Sequence, residues 1–84
     1  MNHITAGRTD VASAIDREVE LVTSAINLVA SGAASSVTVA GLRLVDAVLE
    51  IVGPRARVAS VTIERLWGAD ETVTDIRVRR VPLA

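Results

Sequence analysis

Between Leu21 and Leu42 the chain carries no charged residue in 22 positions. A run of that length must be hidden, either in a bilayer or in a folded core. It is too polar to span a membrane, because Thr23, Ser24, Asn27, Ser31, Gly32, Ser35, Ser36, Thr38 and Gly41 interrupt it, and a spanning helix needs about 20 predominantly apolar residues. Its centre, Ser-Gly-Ala-Ala-Ser-Ser at 31–36, reads as a helix stop. The run is therefore expected to be a buried helix end, a turn and a buried strand in succession.

The helix that enters this run is legible from its period. Ile15, Val19, Val22, Ile26 and Val29 recur at spacings of 4, 3, 4 and 3, which is one face of an α-helix. Leu21, Ala25 and Leu28 widen that face, while Asp16, Glu20, Ser24, Asn27 and Ser31 take the other side. Thr9 or Asp10 suits the N-terminal cap and Gly32 the C-terminal one. The helix expected over 11–31 would be about 33 Å long, more than a small sheet can cover. Residues 1–8 are expected to be a flexible leader, and 9–84 one domain. One residue breaks the pattern. Glu18 falls in the apolar arc, where its stem can lie along the core edge with the carboxylate in water. Alternatively it is a partly buried acid that faces an Arg of the C-terminal hairpin or of a neighbouring subunit.

Phase decides the next segment. From Gly41 onward Leu44, Val45, Val48, Leu49 and Val52 share one helical face, opposite Arg43, Asp46 and Glu50. Extended backward, the same helix would put Val39 among the charges. Residues 36–40, Ser-Val-Thr-Val-Ala, alternate and are β-branched, so they read as a strand. The expectation is a strand at 36–40 and a helix at 42–52, ended by Gly53-Pro54. The alternative is one helix from Thr38, giving an αα-hairpin followed by a β-hairpin.

Residues 58–67 and 72–81 read as two strands around Gly68-Ala69-Asp70-Glu71, a common hairpin loop length. The simplest register sets Val61 against Val78 and Ile63 against Ile76. It also sets Glu64 against Asp75, a mildly unfavourable like-charge pair, so a shifted register with Glu64 facing Arg77 stays open. The expected order is α-β-α-β-β: a single small α/β (α+β) domain with two helices and a three-stranded mixed sheet. The first two strands would form a right-handed βαβ unit, and the last strand would add antiparallel.

Composition then limits the chemistry. The chain has no Cys, Phe, Tyr, Lys or Gln, and single residues of His (His3), Met and Trp (Trp67). Cysteine nucleophiles are impossible, and a zinc site of the usual N/S type lacks ligands. A Ser-His-Asp arrangement would depend on His3. The acid pairs Asp16/Glu20 and Asp46/Glu50 lie on solvated helix faces. No cofactor, no metal and no enzymatic activity are expected.

Valine and alanine supply 14 and 13 of the 84 residues. A buried Val contributes at most roughly 1.5–3 kcal/mol and Ala less, so a core of small aliphatics is thin for its apolar content. Surplus apolar surface and the open edges of a small sheet both argue for a homo-oligomer. Net charge is −1, but the nine arginines are uneven, six of them beyond residue 53. Arg55, Arg57, Arg65, Arg77, Arg79 and Arg80 could meet an anion or nucleic acid. Glu64, Asp70, Glu71 and Asp75 interleave with them, and no aromatic platform accompanies them. Gly41 with Arg43, at a strand-to-helix junction, could hold an anion at a helix N-terminus.

The reading that follows is a small non-enzymatic, self-associating interaction module, serving as an adaptor, regulatory or assembly subunit. Its contact residues would be Trp67, Arg65, Arg77, Arg79 and Glu18. The alternative is anion or nucleic-acid binding through the Arg-bearing hairpin, with Gly41, Arg43, Arg55 and Arg57 as further candidates. Another protein is a possible partner, nucleic acid a less favoured one, and a membrane is not expected. The first ten residues have no apolar run, so no signal peptide is expected and the location is taken as cytoplasmic.

Overall fold

The computed structural model describes residues 6–66 and 74–82. Its elements are α1 (Ala6–Ala30), β1 (Ser36–Leu42), α2 (Val45–Val58), β2 (Val61–Leu66) and β3 (Thr74–Arg80). The order is the expected α-β-α-β-β, and residues 36–40 are strand, so the αα-hairpin alternative falls. Helix α1 takes in residues 6–8, which the sequence had assigned to a leader, and its 25 residues span about 37 Å.

The sheet runs β1-β3-β2 and both pairings are antiparallel. The expected mixed sheet is corrected at this point. Strands β1 and β2 do point the same way, joined through α2, but β3 lies between them. The central place goes to the strand whose inward residues, Ile76 and Val78, are completely buried. A strand hydrogen-bonded on both sides also needs no protection from water.

The β2–β3 register is the shifted one. Glu64 lies opposite Arg77, Ile63 opposite Val78 and Val61 opposite Arg80. A two-residue shift keeps the same faces in and out, so apolar patterning cannot choose between the two registers. Charge can, because it replaces the Glu64–Asp75 repulsion with an opposite-charge pair.

Two boundaries move for backbone reasons. The β1–β3 register shifts between Val39 and Leu42, where Gly41 adopts φ +76°. That bulge returns Leu42 to the inner face, where it is buried; Leu42 ends β1 instead of starting α2. Helix α2 runs through Gly53-Pro54 to Val58 and does not stop there. Pro54 forfeits one intrahelical N–H, and the residue before a proline is normally driven out of the helical region by its Cβ. Gly53 has no Cβ, and nothing crowds that position. Val52 and Ala56, on either side of the pair, are both buried, so packing favours continuing the helix. Strand β2 consequently starts at Val61, after Ser60 turns the chain at φ 58°.

Both helices pack on one face of the sheet, α1 over β1 and β3, α2 over β2 and against α1. The core is one cluster, with Val22, Ile26 and Val29 of α1, Val48 and Val52 of α2, Leu42, Val61, Ile76 and Val78 at its centre. Its apolar residues are aliphatic throughout. Helix α1 contributes fully buried residues only from Val22 onward, while Val19 packs half-buried against the cluster and Val11 is exposed. The molecule measures 54 × 28 × 19 Å, with a radius of gyration of 14.3 Å against about 12 Å for a compact chain of this length. No helix among the described residues is long and apolar enough to cross a membrane.

Candidate functional site

The β1–α2 junction concentrates the polar geometry. Leu44, the N-cap residue of α2, has no side chain able to cap it. Glu18 supplies the cap from α1. Its Oε2 accepts the Arg43 backbone N–H at 2.9 Å, and its Oε1 accepts that of Leu44, also at 2.9 Å. Asp75 of β3 adds a second carboxylate, its Oδ1 accepting the Gly41 N–H at 3.0 Å. Gly41 and Arg43 were expected to offer an anion site. The donors are there, but two of the chain's own carboxylates occupy them. The field of the helix N-terminus stabilises those negative charges. Glu18 thus faces backbone N–H groups and not the arginine expected of it. Around them lies an open hollow of about 460 Å³ lined by Val11, Ala14, Arg17, Glu18, Gly41, Arg43 and Leu44.

The arginines of the hairpin are also engaged within the chain. On the sheet face away from the helices, Glu64 stands between Arg77 and Arg79, at 3.6 Å from each guanidinium. All three are half-exposed, so each pair contributes little. Arg65 lies on the other face and forms a salt bridge with Asp46, in the first turn of α2. Arg80 donates from Nη2 to the Val29 carbonyl at 2.9 Å. That carbonyl belongs to the last turn of α1, where Gly32 in the left-handed region (φ +85°) also donates to it. A cation suits this negative helix end. Arg55 and Arg57 lie exposed in the last turn of α2, where the same field favours them. Trp67 lies outside the described residues.

Sequence reasoning missed four of these contacts: Glu18 on the Arg43 and Leu44 N–H groups, Asp75 on Gly41, Arg65 with Asp46, and Arg80 on α1. Arg80 carried a signal, since its position in β3 points it to the apolar face. Its target is 51 residues away and has no sequence signature.

Large apolar side chains are exposed as well. Val11, Leu21 and Leu28 on α1, Ile51 and Val58 on α2, and Val81 all keep 44–89% of their surface. No family model, no curated protein and no solved structure matches this chain, so its functional reading rests on these residues alone.

Proposed function

We propose that this chain is a self-associating protein-interaction module, an adaptor or assembly subunit that acts through its surface and not through catalysis. One observation carries the reading. Large aliphatic side chains on both helices, Leu21 and Leu28 on α1 and Ile51 and Val58 on α2, stay 46–89% exposed, and exposed apolar surface of this kind marks a protein contact. The two open sheet edges add shape to that argument. The charged residues point the same way. Glu64, Asp46 and the Val29 carbonyl engage Arg77, Arg79, Arg65 and Arg80, which leaves an external anion competing with internal partners.

Sedimentation velocity over a concentration series from low to high micromolar tests the reading. A dimer or larger assembly that dissociates on dilution is expected. A single compact monomer across the series overturns it.

A further inference from the structure

We infer that β1 is the edge through which two copies join, antiparallel and about a two-fold axis, so that two three-stranded sheets become one continuous sheet. The inference rests on the self-association proposed above and names the element that performs it.

The strand order leaves two edges, β1 and β2. They are protected very differently. Natural sheets guard an edge with charge, proline or a bulge, because its unpaired N–H and C=O groups otherwise recruit another strand. Strand β2, Val-Thr-Ile-Glu-Arg-Leu, carries two charges, and both are held by partners within the chain. Strand β1, Ser-Val-Thr-Val-Ala-Gly-Leu, has neither charge nor proline. Its one irregularity lies between Val39 and Leu42, which leaves Ser36–Val39 in regular register with β3. That stretch is a neutral edge rich in β-branched residues.

The helix above this edge supplies an apolar rim. Helix α1 packs over β1 and β3, with α2 beside it. Leu21 and Leu28 are seven residues apart and so project from one flank of α1, beside the face that carries Val22, Ala25 and Val29 into the core. They remain 49% and 46% exposed. Antiparallel pairing of β1 with its copy sets the two α1 helices side by side. Leu21 and Leu28 then fill the space between them.

A second copy is the occupant for two reasons. The exposed Leu21 and Leu28 sit on the helix that packs over this same edge, and an isologous contact uses the same patch on both partners. Self-pairing of Ser36–Ala40 about Thr38 also sets Thr against Thr and Val37 against Val39. Both are favourable cross-strand pairs, and no like charges meet.

The test uses the full chain. Wild type, Thr38→Lys on β1 and Thr62→Lys on β2 are compared by sedimentation velocity, with circular dichroism to confirm folding. In parallel, amide hydrogen exchange of wild type is followed at high and low concentration. The expected result is a wild-type dimer, a monomeric Thr38→Lys and a dimeric Thr62→Lys, with β1 amides losing protection on dilution. Should Thr38→Lys fail to fold, the exchange pattern decides alone. A wild-type dimer whose β1 amides exchange equally at both concentrations overturns the β1 edge and leaves self-association standing. A wild-type monomer throughout overturns both. Concentration-dependent protection in β2, or in α2 around Ile51 and Val58, assigns the contact elsewhere and overturns this inference.

Discussion

Glu18 on α1 and Leu44 at the start of α2 are joined by a 2.9 Å hydrogen bond from the Leu44 backbone N–H to the Glu18 carboxylate, 26 residues away in sequence. With the adjacent bond to Arg43, the carboxylate takes the N–H of the N-cap residue, as the Glu of a capping box does from within a helix, and that of the residue before it. The first turn of α2 therefore depends on α1 being docked.

Replacing Glu18 by Ala leaves that helix end uncapped, and loss of a capping side chain costs about 0.5–2 kcal/mol. In a domain of this size each kcal/mol lowers the melting temperature by about 4–8 °C. Thermal denaturation of Glu18→Ala should show a drop of about 2–16 °C, with faster amide exchange at Arg43 and Leu44. Unchanged melting would mean that the two hydrogen bonds add nothing over water.

Arg80 does the converse for α1. Arg80→Met keeps the length of the side chain but removes its donor to the Val29 carbonyl and its charge at the negative helix end. The expected loss is about 1 kcal/mol, the typical size of one such hydrogen bond. Added salt should shrink the difference from wild type, because part of it is the charge–dipole attraction. A difference that salt leaves untouched assigns the whole effect to packing.

Pro54 sits inside α2 on its exposed side. Pro54→Ala restores a helix N–H and removes no buried contact. Proline costs a helix interior about 3 kcal/mol relative to alanine, part of which is offset by the stiffer unfolded chain. Chemical denaturation should find the variant more stable by about 1–3 kcal/mol. A loss of stability would show that Pro54 makes a contact that its exposure conceals.

Gly41 holds φ +76° at the β1 bulge, and a Cβ there would meet nothing within 4 Å. The cost of Gly41→Ala is therefore conformational alone, about 1–2 kcal/mol for forcing an L-residue into the left-handed region. Gly41→Asn should cost less, since Asn tolerates that region better. Equal costs for the two variants in urea denaturation would contradict this account.

The sequence made the elements and their order legible because they rest on local periodicity. Ile15, Val19, Val22, Ile26 and Val29 recur at the helical period and form the inner face of α1 around Val22, Ile26 and Val29. The alternation of Val37, Thr38 and Val39 marked a strand, and it is one. The boundaries were less legible where the local rule was sound but tertiary packing outweighed it. Gly53-Pro54 is a valid stop signal, yet Ala56 is buried beyond it, and the helix continues to bury it. Leu42 fits a helical face equally well, until the Gly41 bulge turns it inward as the last residue of β1.

What the residues alone determined was the secondary structure, which side of each element is apolar, and a supply of small aliphatics too thin to bury itself easily. These follow from steric and hydrophobic preferences that act within a few residues. Only the tertiary structure decided that β3 takes the centre of the sheet, that Glu64 faces Arg77, and that Glu18 and Arg80 close helix ends far from them in the chain. Those outcomes depend on which backbone groups and charges end up within hydrogen-bonding reach. Alternative strand orders and registers expose the same apolar faces, so hydrophobic pattern cannot separate them; hydrogen bonds and charge pairs formed across the fold do.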